Sequence, residues 1–202
     1  MPFLDRVIAA VTRPESESAR REARARARAA ATTGDWLSQV LAHHLQIEEA
    51  FAATQHAMSV TERIQSQTRL ALLLTGHANA EESVLYPALA RVDEKAHAST
   101  AYNEQAAVKV QMALLESLPP MSQDFLDKLE HIRFAVAHHM YEEEGTWFLE
   151  LRRKLPSADQ DRLGERYLKE FDRYVGTDLE SGVNGDYRPY FPDALLQTPQ
   201  LD

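Results

Sequence analysis

The sequence contains no cysteine, and this absence excludes several kinds of chemistry at once. Without a thiol the protein has no disulfide, no thiolate nucleophile and no zinc or iron–sulfur site with cysteine ligands. Any metal would have to be held by histidine and carboxylate side chains. Such ligands suit the harder ions iron and manganese, and they are also compatible with zinc.

Long apolar runs are missing as well. No run approaches the roughly 18 residues that a membrane-spanning helix needs, and residues 3–11 are too short and too interrupted by charge for a signal peptide. The formal net charge of −9 gives no overall attraction to nucleic acid or to an anionic membrane. We therefore expect a cytoplasmic protein that makes no membrane contact and for which nucleic acid is an unfavoured partner.

Glycine is scarce too, with seven residues among 202, and this composition favours helices over strands. From residue 35 onward apolar residues recur with helical spacing, and Ser59 and Ser122 are typical helix starts. The pattern predicts helices at about 35–58, 60–90, 94–117, 122–154 and 158–175. Short connections between long helices predict antiparallel neighbours. The predicted fold class is therefore all-α, an up-down four-helix bundle with the last helix packed outside it.

The two ends of the chain differ in composition from this bundle, which we place at residues 35–175. Residues 1–34 form an extension rich in Arg and Ala, in which Arg13 to Arg28 count six Arg against three Glu. This charge pattern favours a solvated surface helix over a nucleic-acid-binding arm. Residues 176–202 read as an irregular tail, rich in Gly and Pro. The aromatic residues of the tail would contact the bundle or a second subunit, which leaves a homodimer open; they are Tyr187, Tyr190 and Phe191.

A His-x-x-x-Glu pair occurs twice, as His77/Glu81 in the second long helix and as His139/Glu143 in the fourth. The surrounding residues also match, so the two helices carry an internal repeat. Residues four apart on a helix lie on one face with their Cβ atoms about 5–6 Å apart. Each pair can therefore direct an imidazole and a carboxylate to one point.

Both pairs lie on the apolar stripes of their helices, which predicts that they face the core. The stripe of the fourth helix passes through His139 rather than His138. On the first helix the same reasoning favours His44 over His43 and places Glu48 on the same stripe, although His43 also lies on a plausible line.

Inward carboxylates need an explanation, because an ionised carboxylate is costly to bury unless it is paired or bound to a metal. A metal cluster provides one, with carboxylates bridging cations and imidazoles capping them. The alternative is a buried network of His and Glu hydrogen bonds that only fixes the register of the helices.

On these motifs the sequence resembles the hemerythrin-like (HHE cation-binding) family, over roughly Asp35 to Leu155. The segments that carry the resemblance are LAHHLQIEEAF, GHANAEESVLYPAL and AHHMYEEEGTWFLELR. The resemblance implies a four-helix bundle with a non-haem di-iron site that binds, senses or reacts with dioxygen, nitric oxide or peroxide. Carried over by position, the implied ligands are His44, His77, Glu81, His139 and Glu143.

The chain departs from the family pattern in the third helix, where Gln105 stands in place of an expected histidine. Three outcomes follow: a di-iron site with one under-ligated metal and Glu48 as a replacement carboxylate, a mononuclear site, or a polar core without metal. The leading hypothesis is a cytoplasmic iron protein that takes a small gas or peroxide, with manganese or zinc ranked below iron. The alternative is a metal-buffering or degenerate bundle that acts through interactions, and the sequence does not decide whether the protein is an enzyme.

Overall fold

The computed structural model describes residues 15–92 and 94–176. The first fourteen residues of the N-terminal extension lie outside this part, and so does the predicted irregular tail beyond Gly176 with its three aromatic residues. The described residues form helices and contain no strand, so the predicted all-α class is confirmed. No helix among them is both long enough and apolar enough to cross a membrane.

Eight α-helices follow one another along the described chain. They are α1 Glu17–Ala30, α2 Trp36–His56, α3 Val60–Ala80, α4 Tyr86–Arg91, α5 Lys95–Glu116, α6 Gln123–Glu142, α7 Phe148–Lys154 and α8 Ser157–Val175. Two π-helical turns, Glu81–Leu85 and Glu143–Trp147, join α3 to α4 and α6 to α7. The predicted second and fourth helices of the bundle are therefore each one long helix interrupted by a π turn.

Side-chain caps set several helix starts. Asp35 accepts the Ser38 N–H at the start of α2, Ser59 accepts the Glu62 N–H at the start of α3, and Ser122 begins α6 in the same way. Each cap satisfies an amide that has no partner within its helix. The two serine starts predicted from sequence are confirmed.

The core of the bundle is formed by large apolar side chains, and the outer helices extend it. Trp36, Phe51, Phe125 and Phe148 are fully buried. Helix α8 packs along α2 and α3, outside the bundle as predicted. A Cβ atom at Gly76 would lie only 2.3 Å from Val175 Cγ2, so the absence of a side chain there lets α8 approach α3 beside His77.

Candidate metal centre

Both π turns begin at the glutamate of a His-x-x-x-Glu pair. Glu81 opens the first turn and Glu143 the second, and each turn closes when the amide five residues later donates to the glutamate carbonyl. Pro87, which has no N–H to donate, lies two residues after the end of the first turn, and Gly145 lies within the second. Single π turns inside α-helices are frequent at functional sites.

Four ligand atoms converge in the core between α2, α3 and α6. His44, His77, Glu81 and Glu143 each offer one atom, and these atoms lie within 4.8 Å of one another. The His77 Nε2–Glu81 Oε1 distance is 3.2 Å, and His44 Nε2 lies 3.4 Å from Glu143 Oε2. All four atoms are buried and none makes a hydrogen bond among the described residues. We call this group of four atoms the open corner.

The other oxygens of the two carboxylates face a second group, which we call the filled corner. Its centre is the Tyr86 hydroxyl, which lies 3.0 Å from Glu81 Oε2 and 2.9 Å from Glu143 Oε1. His139 Nε2 lies 3.0 Å from the same hydroxyl, and Gln105 Nε2 donates to it over 2.6 Å. Each carboxylate therefore has one oxygen in each corner.

Each of the three inward histidines has an outer partner at Nδ1. His44 Nδ1 lies 2.8 Å from Glu144, and His139 Nδ1 lies 2.8 Å from Glu104. An ionised carboxylate only accepts, so in both cases Nδ1 is the N–H and Nε2 faces the site. Such contacts fix the orientation of an imidazole and raise its basicity towards a metal.

The third outer partner is a tyrosine from outside the bundle. His77 Nδ1 lies 3.0 Å from the Tyr167 hydroxyl of α8, and His43 Nδ1 lies 2.8 Å from the same oxygen. His43 also stacks on Phe171, at 3.8 Å between ring centroids. Both adjacent histidines of α2 are thus buried, and they have different surroundings: His44 enters the open corner and His43 contacts α8.

The ionisation of the carboxylates in the metal-free protein is uneven. Burial, together with the nearby Glu143 carboxylate, raises the pKa of Glu81 well above its usual range. Burial alone would also raise the pKa of Glu143, but the adjacent His139 and His44 lower it below its usual range. Two carboxylates this close do not both ionise easily, so a proton remains on one of them.

The histidines are just as unequal. Burial opposes the charged form of His44, yet Glu143 and Glu144 together raise its pKa to about 9. Burial and the nearby His44 lower the pKa of His77 well below its usual range. Protons therefore hold positions in the metal-free cluster that a cation would take, and metal binding would release them.

The two residues that the sequence marked as additional candidates have different positions. Glu48 stays outside the cluster: its side chain is 41% exposed and its Oε2 lies 2.7 Å from Arg24 Nη1. Gln105 is buried in the filled corner and donates to Glu81 Oε2 over 2.7 Å, while its own Oε1 has no hydrogen-bond partner among the described residues. The expectation that Glu48 replaces a missing ligand is therefore not supported by this geometry.

Several residues around the cluster carried little or no signal in the sequence. Tyr86 is an aromatic residue of the predicted second helix, and a tyrosine at such a position usually serves packing. Glu144 directly follows Glu143 in the second π turn. The other three residues lie on helices whose contact with the site depends on tertiary packing; they are Arg24, Glu104 and Tyr167.

A small, largely apolar cavity adjoins the cluster between α3, α5 and α6. Its volume is about 30 Å³, and the cluster side chains His77, Gln105 and His139 form part of its wall. The remaining wall consists of Leu74, Ala78, Val108, Lys109, Val136 and Met140. A single water needs about 10–15 Å³ by this kind of measure, so the space suits a molecule of two or three heavy atoms.

Comparison with known proteins points to one family. The model of the hemerythrin HHE cation binding domain matches residues 40–151. A crystal structure of a hemerythrin HHE cation binding domain-containing protein from Mycobacterium kansasii superimposes with a TM-score of 0.62 at 24% identity, covering 75% of this chain and 93% of that one. A DNA nickase from Nostoc is 30% identical over 89 residues, which are 44% of this chain but only 25% of the nickase.

Proposed function

Because the chain belongs to the hemerythrin HHE cation-binding domain family, we propose that its buried cluster binds iron and that the loaded protein binds, senses or reduces a small oxidant or gas. The first metal would be held at the open corner by His44, His77, Glu81 and Glu143. His139 would contribute from the filled corner. Dioxygen, peroxide and nitric oxide are the ligands that we propose.

The four unpaired atoms of the open corner carry this proposal. A buried polar atom without a partner costs about 1–3 kcal/mol, so four of them together need a compensating ligand. Ligands about 2.0–2.2 Å from one ion lie roughly 3 to 4.4 Å apart, depending on the angle between them, and the separations of 3.2, 3.4 and 4.0 Å in this corner fall in that range. Two imidazoles and two carboxylates also match the ligand preference of non-haem iron.

The filled corner favours one tightly held metal over two. Its polar atoms already contact the Tyr86 hydroxyl, and Gln105 supplies an amide where the family pattern has a histidine. A second cation would have to compete with those hydrogen bonds. Of the outcomes open from sequence, we therefore favour a site with one strong and one weak metal position.

The adjoining cavity supports a small ligand. Its walls are mainly apolar, and two inward histidines border it, so an uncharged diatomic molecule or peroxide could reach the cluster through it. Bound iron would supply redox capacity and an open coordination position. The surrounding side chains would exclude bulk water and keep larger molecules out.

The second candidate function is metal buffering or a purely structural polar core, without reaction at the metal. The hydrogen bonds of the filled corner favour this alternative, because they give one oxygen of each carboxylate a partner without any cation. We do not extend DNA nicking to this chain, since the similarity covers a quarter of the nickase and the net charge of −9 opposes binding to phosphates.

Metal analysis of protein purified from iron-supplemented cells tests the proposal. We expect about one iron per chain, retained through gel filtration, because a buried site with four protein ligands binds metal tightly. An absorption spectrum recorded with and without peroxide then separates reaction from storage. A spectral change that depends on peroxide supports a reactive site, and an unchanged spectrum supports buffering.

The proposal fails if the purified protein holds less than about one metal per five chains and takes up no more on anaerobic addition of ferrous iron. A matched control is the double variant H77A/E81Q, which removes one imidazole and one carboxylate charge from the open corner. Metal that stays bound to this variant is bound elsewhere.

A further inference from the structure

Helix α1, which precedes the residues matched by the family model, lies directly against the second π turn. Ala23 and Ala27 are fully buried under this contact. A Cβ atom at Gly145 would lie 3.5 Å from the Ala23 Cβ, which is ordinary van der Waals contact. Because these side chains are small, α1 lies close enough to the turn for the Arg24 side chain to contact Glu144 within it.

The Arg24 guanidinium contacts the carboxylate of Glu144, in that turn, through two of its nitrogens. Its Nε lies 3.0 Å from both oxygens of Glu144, and its Nη2 lies 2.9 Å from Oε1. The Glu144 side chain is 2% exposed and that of Arg24 19%. Paired contacts between a guanidinium and a carboxylate fix geometry as well as adding energy.

The same Glu144 oxygen accepts the Nδ1 hydrogen of His44, over 2.8 Å. A continuous chain of contacts therefore runs from Arg24 through Glu144 to a histidine of the open corner. Without Arg24 the carboxylate would be a buried charge with one partner fewer, free to turn towards solvent. His44 would then lose the acceptor that holds its Nε2 towards the cluster.

The other inward histidines do not depend on α1. His139 has Glu104 of α5 as its partner, and His77 has Tyr167 of α8. A defect at Arg24 should therefore act through His44 alone, which allows the effect to be separated from a general loss of structure.

We propose that Arg24 is a positioning residue for the metal site, which orients His44 by holding Glu144 in place. This inference rests on the proposed function, since it assigns α1 the task of shaping the open corner for its cation. The charge pattern of the N-terminal extension favours a solvated surface helix, but through Arg24 this extension would contribute to the metal site.

The test compares three arginine variants in the full chain, by anaerobic competition for ferrous iron against a chelator. R24M removes the donors, and we expect an affinity about 10–100-fold weaker, as for other outer-shell partners. R24K keeps the positive charge but cannot make the paired contact of a guanidinium, so its iron affinity should lie between those of R24M and wild type. R21M is the matched control on the same helix, because the Arg21 side chain is 73% exposed, and its affinity should stay within about twofold of wild type.

A double-mutant cycle with H44A distinguishes positioning from loss of fold. In the H44A background R24M should cause no further loss of affinity, because the group through which it acts is already gone. Equal affinities for R24M and R21M would overturn the inference, as would a full R24M effect without His44. A wild-type protein that binds no iron would instead sink the proposed function itself. If R24M does not fold, R24K takes its place, both in the comparison with R21M and in the double-mutant cycle with H44A.

Discussion

The open and filled corners share the same two carboxylates but satisfy them differently. In the open corner the oxygens and imidazole nitrogens face one another without hydrogen bonds. In the filled corner the Tyr86 hydroxyl lies among His139, Gln105 and the other two oxygens. One half of the cluster is therefore joined by hydrogen bonds within the protein around a central hydroxyl, whereas the other half lacks a central partner.

The difference originates at one position of the internal repeat. The residue five after Glu81 is Tyr86, whereas the residue five after Glu143 is Phe148, which packs edge-on against Trp36 at 5.6 Å between ring centroids. At this position of the repeat one helix has a hydroxyl that points into the cluster, and the other has none. Near-symmetric ligand sets need not give two equal metal positions.

Removing an open-corner ligand should have the largest effect. We expect H77A to weaken ferrous iron binding by at least about 100-fold, the upper end of the loss caused by outer-shell changes. H139A should cost less, roughly tenfold, because His139 lies in the filled corner and is not one of the four residues that would hold the first metal. Anaerobic competition with a chelator measures both.

The matched control for this comparison is H56A. His56 is exposed and its Nδ1 lies 2.8 Å from the Ala52 carbonyl of its own helix, so its removal should leave iron affinity unchanged. Equal losses of iron affinity for H77A and H139A would mean that the two corners contribute equally to metal binding, which would contradict the distinction between them.

The stability of the metal-free protein should fall as the pH rises from 6.5 to 8.5. His44, with its pKa raised to about 9, contributes stability that is complete below pH 6.5 and is lost as the pH rises through 9. The pKa of Glu81 is also raised, so keeping its proton costs more as the pH rises. Both contributions have the same sign.

Urea unfolding at the two pH values, with and without iron, measures this trend. Metal replaces the protons of the open corner, so the iron-loaded protein should lose less stability than the metal-free protein between pH 6.5 and 8.5. Parallel pH dependence in the two forms would indicate that the cation binds away from His44 and Glu81.

The bundle and the repeated pairs could be predicted from sequence because both depend on local periodicity. Apolar spacing determines which helix face is buried, and it placed His77, Glu81, His139 and Glu143 inward. It also favoured His44 over His43, and the structure brings His44 into the open corner. The metal itself stays a prediction.

The π turns and the outer partners could not be predicted in this way. In a regular α-helix the residue five positions after Glu81 lies about 140° around the axis, so helix periodicity does not place the Tyr86 hydroxyl beside the Glu81 carboxylate. The contacts of Arg24 with Glu144 and of His77 with Tyr167 join residues 120 and 90 positions apart. Helix periodicity carries no information about such pairs.

Removing the Tyr86 hydroxyl should destabilise the filled corner and spare the open one. We expect Y86F to lower the free energy of unfolding of the metal-free protein by about 1–3 kcal/mol, because the surrounding buried groups lose a partner. The first iron should bind with about the wild-type affinity. Y102F is the control, since that hydroxyl is on a partly exposed residue and donates to a single carbonyl, that of Glu82. A Y86F effect as small as that of Y102F would show that the hydroxyl does not hold the corner together.

Converting Gln105 to histidine should reduce the difference in metal affinity between the two corners. We expect this to be the smallest effect of the series. Q105H adds an imidazole beside Glu81 Oε2, so metal content should rise from one towards two per chain at high iron, although the Tyr86 hydroxyl still competes for the position. Q105L removes the amide without adding a ligand and should stay at one. Metal content and the absorption spectrum report the outcome. If Q105H matches Q105L in both, the missing histidine is not what weakens the filled corner, and competition from the Tyr86 hydroxyl is then the dominant cause.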